Sequence, residues 1–484
     1  MLNILEKLPR LILNPAVRII ICIVGFVFSG CTPLHTFWYN MPGHRDIHLF
    51  KNRPLIATNP TPFITADSNI TLPPPILWGN HRYLKYKHTP EQYLHRTKTY
   101  ALLILRNDTL VYQYYAPNFN RASELTSFSV AKGILSLLAG IAIDEKKLNL
   151  EDSVSEWLLL WRNRPGFAPI QIKHLLQMTS GLNFRDEYVN PFGGAARFYY
   201  GKNLRQKVLN LKPKYMPGTI YRYKSCDPIL ISMILEKATG KSVTEYLQEK
   251  IWNPCGMQFS GSWSLDGGFQ PIEKSFCGLN AKPEDLLRLG QVILHQGKYN
   301  QKQIIPPKWL QEIQHIDGRE ASPRFYQYYW YLSAESTDYF AEGINGQLLY
   351  ISPSTQTVIV RLGSQIDWHW RDNLGNLAGS CSKKIPIKIT PSHRLIAGNY
   401  IFSVSDSGDT SMLGKKAKFW ISGNRLYIKT DIHKTFSAFP YQEKSFYDPK
   451  NQRNLQFLLN DSGQIDHILW TRGRQTWKLL PEIQ

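Results

Sequence analysis

A run of almost wholly apolar or small residues from Ser129 to Ile143 constrains this chain more than any other feature. Its length suits a helix, and its lack of a polar stripe predicts burial on every side, so the fold must wrap around it. One residue breaks the pattern. Lys132 stands in the first turn, where an unpaired ammonium is too costly to bury unless it is paired or put to use. Residues three apart share a helix face, so the Ser129 hydroxyl and the Lys132 amine can meet. A serine hydroxyl becomes a strong nucleophile when a neighbour takes its proton, and lysine can do so only when neutral. Apolar neighbours (Ile134, Leu135, Leu137, Leu138) and the positive end of the helix both lower its pKa. That helix end also leaves the Ser129 N–H available to an oxyanion.

Two further segments carry the same chemistry. Tyr223-Lys224-Ser225 follows the turn at Pro217-Gly218 and precedes a helix expected over Pro228–Thr239, with Asp227 as N-cap and Gly240 past its end. This places Tyr223 on a loop, where a phenol beside an ammonium can relay a proton; Tyr221 reads as a core residue. Ala341-Glu342-Gly343-Ile344-Asn345-Gly346-Gln347 leads into a hydrophobic strand. Its glycines let a ligand lie against the backbone, and the Ile344 N–H beside Gly343 is the candidate second oxyanion donor. Other apparent motifs fail. Gly240-Lys241-Ser242 has Leu235 where a phosphate-binding loop needs glycine, and His174 reads as a packed or surface histidine rather than a ligand.

Around these segments, strands are expected at Ala101–Leu105 and Thr109–Tyr115, turning at Asn107-Asp108, and at Gln347–Ile351 and Thr357–Leu362, turning at Pro353. Helices fall between the two strand groups, at Gln171–Ser180 and after Ser242, whose side chain forms a capping box with Glu245. The expected class is therefore α+β with a mostly antiparallel sheet. Residues 1–30 read as an export signal, with Lys7, Arg10 and Arg18 before the apolar stretch Ile19 to Phe28. Residues 31–95 read as a tether and extended N-terminal segment rich in proline, and 96–385 as the catalytic domain. Beyond a change of texture near Lys383–Pro391, residues 392–484 read as an all-β domain, a small barrel or sandwich. Its expected strands are Asn399–Val404, Ala417–Ile421, Arg425–Lys429, Leu455–Leu459 and Ile465–Trp470, with turns at Gly423-Asn424 and Ser462-Gly463.

Ser129-Val130-Ala131-Lys132, Tyr223-Lys224-Ser225 and Ala341-Glu342-Gly343, in that order, resemble the motifs of the serine β-lactamase and penicillin-binding-protein superfamily. The closer likeness is to its class C-like serine hydrolases, the 6-aminohexanoate-oligomer hydrolase and esterase branch. Ile172 to Leu182, Pro217-Gly218-Thr219, Glu236 to Gly240 and Asn253 to Met257 extend the resemblance over about residues 96–380. It implies a β-lactamase-like antiparallel sheet flanked by helices, with an all-helical subdomain. It also implies that Ser129 is the acylated nucleophile, Lys132 its base and Tyr223 the proton shuttle. Ser129 and Ile344 would be the oxyanion donors, and Gly343, Ser225 and Asp227 would contribute to substrate binding. Two departures bear on substrate. Ser225 replaces the amide-bearing Asn of many members, and Ala341 replaces a Lys or His that meets a substrate carboxylate, which argues against efficient β-lactam hydrolysis.

Composition narrows the partners. Lys plus Arg number 57 against 37 Asp plus Glu, a formal charge of +20, yet no basic run exceeds two residues. Dispersed charge and an export signal argue against nucleic acid and suit an anionic membrane surface. Val27-Phe28-Ser29-Gly30-Cys31 resembles a bacterial lipobox, which would make Cys31 a lipidated residue and place the enzyme as a lipoprotein on the periplasmic face of a membrane. Cys226, Cys255, Cys277 and Cys381 would then meet an oxidising compartment, as disulfides or as buried thiols. No metal or cofactor is expected. The reading is an exported serine hydrolase acting on a small-molecule ester or amide. Its rivals are a non-catalytic receptor for cell-wall fragments and a D,D-peptidase.

Overall fold

The structure, a computed structural model, describes residues 42–72, 89–187, 193–315, 326–333, 336–365, 370–379 and 391–482, the last without 406–412, 423–424, 432–434, 443, 449–452 and 473–474. The expected export segment, Cys31, Cys381, the boundary at Lys383–Pro391 and the Gly423-Asn424 turn lie outside the described residues. No described helix is long and apolar enough to cross a membrane.

An eight-stranded sheet organises the catalytic part. Its order is Tyr326–Gln327, Trp330–Leu332, Tyr339–Gly343, Gln347–Ser352, Thr357–Gly363, Thr99–Arg106, Thr109–Tyr115 and Ile64–Thr65. All neighbours pair antiparallel except Ile64–Thr65, which runs parallel to Thr109–Tyr115. Asn107 and Asp108, both with positive φ, form the tight turn expected between two of these strands. Every residue of Gln347–Ser352 and Thr357–Gly363 is buried, so both faces of the sheet centre are covered.

Side chains alternate between the faces of a strand, which divides the covering helices. On one face lies a helix over Pro283–Leu294, against Leu349, Ile351 and Val358. Also within the domain is the helix α1, Val130–Asp144, whose residues Val130 to Ala142 are all buried, Lys132 included. Gly133 brings it close to Ala341 and Trp330 of the sheet. On the opposite face, the helices Pro90–Arg96 and Trp370–Ala378 meet through Tyr93 and Trp370, ring centroids 5.1 Å apart. The helix α2, Cys226–Thr239, packs on α1. The result is the expected α+β architecture, a sheet with helices on both faces.

Three expectations need correction in detail. The helix expected over Gln171–Ser180 is shorter, Ile172–Leu176, because Met178 takes a left-handed conformation that ends it. α2 begins two residues earlier than expected, so its N-cap is Ser225 and Asp227 stands inside the first turn. The segment read as a tether holds real elements: a 3-10 helix at His44–Leu49, the helix Pro90–Arg96 capped by Thr89, and the strand Asn52–Leu55. That strand joins Gly261–Ser264, Leu279–Ala281 and Leu125–Thr126 in a second, four-stranded sheet.

Eight strands between Gly398–Ser405 and Gln475–Pro481 close into an antiparallel barrel. Its core is its own, built on Tyr400, Phe402, Phe419, Phe446, Trp470 and Trp477. The expected alternation therefore gives a barrel rather than a sandwich.

Candidate active site

The four-stranded sheet delivers the chain to the head of α1. Ser127 donates its N–H to Leu279 O (2.8 Å), and the chain then turns through Phe128, whose φ of 45° is a strained value for a bulky residue. Ser129 follows as N-cap and is 8% exposed. The N–H groups of Val130, Ala131 and Lys132 turn back onto carbonyls of residues 127–129, whereas the Ser129 N–H has no backbone acceptor among the described residues. That is the arrangement of a donor left for a ligand.

Lys132 is 1% exposed, and its Nζ donates to Ser129 Oγ (2.8 Å) and to Phe276 O (2.8 Å). Its Nζ also lies 4.7 Å from the ring centroid of Tyr223. Burial pushes the Lys132 pKa down, against the opposing charges of Asp186, Cys277 and Tyr331. A depressed amine within hydrogen-bond reach of a hydroxyl is what proton abstraction from serine requires.

Tyr223 is half-buried and stands on an irregular segment, as expected. Its neighbours hold it there: Arg222 N donates to Met178 O (3.0 Å), and Lys224 N reaches Met178 Sδ (3.3 Å). Lys224 is buried and donates through Nζ to Ser180 Oγ (2.7 Å). Ser180 in turn donates to both oxygens of Asp227 (2.9 and 3.0 Å), 3.5 Å from the Lys224 Nζ. The Asp227 carboxyl is wholly enclosed, its pKa raised by burial and drawn back by Lys224. Ser180, Lys224 and Cys226 surround it, so it ties α2 to the loop after Ile172–Leu176. Tyr221 packs edge-on against the buried Tyr326, ring centroids 5.3 Å apart. His174 is buried, and its Nδ1 accepts from Gln171 N (3.0 Å), a helix-capping role.

The third segment abuts the nucleophile turn. A Cβ on Gly343 would lie 2.7 Å from Ser127 O and 2.9 Å from Ser129 N, so only glycine permits the strand to lie there. Ile344 opens the short turn Ile344–Gly346 that follows. Ala341 is buried at the sheet surface facing Gly133. Thus Ser129, Lys132, Tyr223 and Gly343 come together, and Asp227 is enclosed with Lys224 and Ser180.

The sequence profile of the family described as beta-lactamase matches residues 90–378, more than half of the chain. The chain belongs to the β-lactamase family. It is 23% identical over 307 residues to a 6-aminohexanoate-dimer hydrolase of Paenarthrobacter ureafaciens, covering 58% of this chain and 77% of that protein. An Escherichia coli K12 protein provisionally described as a D-alanyl-D-alanine carboxypeptidase is 25% identical over 149 residues, 30% of this chain and 34% of its own length. A solved structure from Bacillus anthracis, provisionally described as a 6-aminohexanoate-dimer hydrolase, superposes with a TM-score of 0.60 at 22% identity, covering 68% of this chain and 89% of that one. This member of the β-lactamase family is a serine hydrolase.

One polar group of this β-lactamase-family site escaped the sequence reading. Asp186 follows the shortened helix, and its Oδ2 accepts from Ser225 Oγ (3.1 Å). Its Oδ1 is shielded and without a hydrogen-bond partner among the described residues. Burial raises the Asp186 pKa and the Lys132 charge lowers it. No local pattern distinguishes Asp186 from its loop neighbours Arg185 and Glu187, because only the fold points it towards Lys132. Ser225 is therefore engaged with a carboxylate. Since Asp186 supports the charged form of Lys132, Asp186→Asn should lower the amine pKa further. The acidic limb of kcat/KM would then move to lower pH; a limb that stays in place or moves upward would show that the two groups are uncoupled.

Proposed function

We propose that this protein cleaves an ester or amide through an acyl-enzyme on Ser129. The Lys132–Ser129 contact of 2.8 Å, made by a buried amine beside the Tyr223 ring, is the observation that carries this reading. Neutral Lys132 takes the Ser129 proton as Oγ attacks the carbonyl carbon. The N–H groups of Ser129 and Ile344 stabilise the oxygen as it gains charge. The proton then passes by way of Tyr223 to the leaving group, and water, deprotonated along the same route, releases the acyl group.

Ala341 offers no cation at the third segment, which supports a substrate that places no carboxylate there. The similar Paenarthrobacter protein is a 6-aminohexanoate-dimer hydrolase, which favours an amide or its ester analogue. Similarity to the Escherichia coli protein favours a second reading, removal of a terminal D-alanine. The positively charged N-terminus with its apolar stretch and Cys31 supports export and lipid attachment at a membrane.

Incubation with a fluorophosphonate followed by peptide mapping tests the mechanism. A single adduct is expected on the peptide holding Ser129, and an adduct elsewhere, or none, would refute the assignment. Linear oligoamides, p-nitrophenyl esters and a D-Ala-D-Ala peptide offered to the same preparation separate the two substrate readings.

A further inference from the structure

The guanidinium of Arg361 is 0% exposed and occupies the interior behind the turn that follows Gly343. Nη1 donates to Asn345 O (3.1 Å) and Gly346 O (2.6 Å). Nη2 donates to Thr97 O (2.7 Å) and Gln365 O (3.1 Å), and Nε to Thr99 Oγ1 (3.1 Å). The group lies over the Trp370 ring at 4.7 Å from its centroid. Burying a guanidinium is expensive, and an apolar residue of similar volume often serves stability as well. What an apolar residue cannot do is fix several carbonyl groups at once, which the planar fork of arginine does.

The carbonyls so fixed include those of the turn Ile344–Gly346. That turn is unusual in its backbone: Asn345 has a φ of 64°, a left-handed value. Its side chain donates to Pro42 O (2.9 Å), so the turn is held from two directions. On its other side Gly343 presses against the Ser129 backbone. The direction of the Ile344 N–H is therefore bounded by the Gly343 contact before it and the Arg361 bonds after it.

We infer that Arg361 is a positioning residue for the oxyanion site, which holds the Asn345 and Gly346 peptides so that the Ile344 N–H faces the same point as the Ser129 N–H. This rests on the reading of Ser129 and Ile344 given above. Arg361 does not touch substrate; it acts through the turn. A donor displaced by about 1 Å loses much of its effect on the transition state while leaving ground-state binding nearly intact.

The test compares Arg361→Lys with Gly346→Ala, which attacks the same contact from the turn side. A Cβ at Gly346, where φ is 77°, would lie 2.0 Å from Arg361 Nη1 and must displace the fork. Both are measured for kcat and KM on a p-nitrophenyl ester, for thermal unfolding, and for affinity to an arylboronic acid that adds to the serine as a tetrahedral adduct. A fall in kcat of roughly 10- to 100-fold is expected for each, with KM within about threefold and boronate affinity falling in step with kcat. Either folded variant showing parental kcat and boronate affinity would overturn the inference, as would a loss confined to KM. If one variant fails to fold, the other decides. A parent protein that neither turns over esters nor binds the boronate would instead remove the serine-hydrolase mechanism on which the inference stands.

Discussion

Lys132→Met should lower kcat by about 10⁴-fold while leaving the protein folded. Methionine matches the length and the apolar surroundings of the lysine stem, so packing along α1 is retained. What is lost is the acceptor for the Ser129 proton, and removal of a base that works as a unit with its nucleophile has effects of this size. The expected pH behaviour follows from the direction of the shift. Burial holds the Lys132 pKa below the usual 10.5, so the neutral, active amine appears at a lower pH than for a free lysine, and activity rises through that depressed value. The variant should lose this limb altogether. For stability the sign is the reverse of an ion pair. The folded state binds this proton more weakly than the unfolded state, so the contribution of Lys132 improves as pH rises from its depressed pKa towards 10.5, and methionine should abolish that slope. Ser129 Oγ and Phe276 O lose a donor, which costs about 1–3 kcal/mol, set against relief from burying a charge. Thermal unfolding should therefore shift only modestly. Parental turnover in this variant would eliminate lysine as the base.

The second large effect is expected from Gly343→Ala. The added Cβ would meet Ser127 O at 2.7 Å, Ser129 N at 2.9 Å and the Phe128 Cβ at 3.0 Å. Two of these are backbone atoms and the third is fixed to the backbone, so no side-chain rotation can make room. Relief requires the strand Tyr339–Gly343 and the nucleophile turn to separate by several tenths of an ångström. Phe128 already sits at a φ of 45° and has little freedom to follow. Both oxyanion donors then move relative to Ser129 Oγ, and kcat should fall about 100-fold or more with KM little changed. The rate of fluorophosphonate labelling should fall in parallel. Labelling at the parental rate would mean that the contact between strand and turn has no part in catalysis.

What the sequence makes legible here is what is encoded within a few residues. The helix α1 announces itself because an unbroken apolar run admits little else, and a lysine inside it draws attention for the same reason. Asn107-Asp108 and the Ser242–Glu245 box are local devices and occur where expected. The early end of the helix at Leu176 depends on Met178, whose left-handed φ no propensity predicts. Asn52–Leu55 belongs to a sheet because it pairs with Gly261–Ser264, far away along the chain. In the barrel, Phe436–Gln442 is interrupted by Pro440, where its pairing shifts register, and Ser445–Asp448 is too short to show alternation. Within the site, Ser129 and Lys132 are legible through helical spacing and Tyr223 through motif order. Asp186 and Arg361 are not, since the first is one acid in an ordinary loop and the second bonds to carbonyls of Thr97 and Asn345, which carry no side-chain signature. Asp227 misleads because a buried ion pair and a helix cap use the same residue type.

The three described cysteines are closed to the surroundings. Cys226, Cys255 and Cys277 are unpaired and buried, with the thiols of Cys255 and Cys277 pushed up to about 12 by burial. The thiolate needed for exchange is thus scarce in the folded state.

The closure of the C-terminal barrel has a consequence for how that domain can associate. A ring of strands in which the first pairs with the last, Tyr400 opposite Pro481, leaves none of the described strands as an open edge for another chain to extend. Recruitment of any neighbour, copy or foreign, must therefore go through the side chains of its outer wall or the loops at its two mouths, and templated fibre growth from this half of the molecule requires it first to come unzipped.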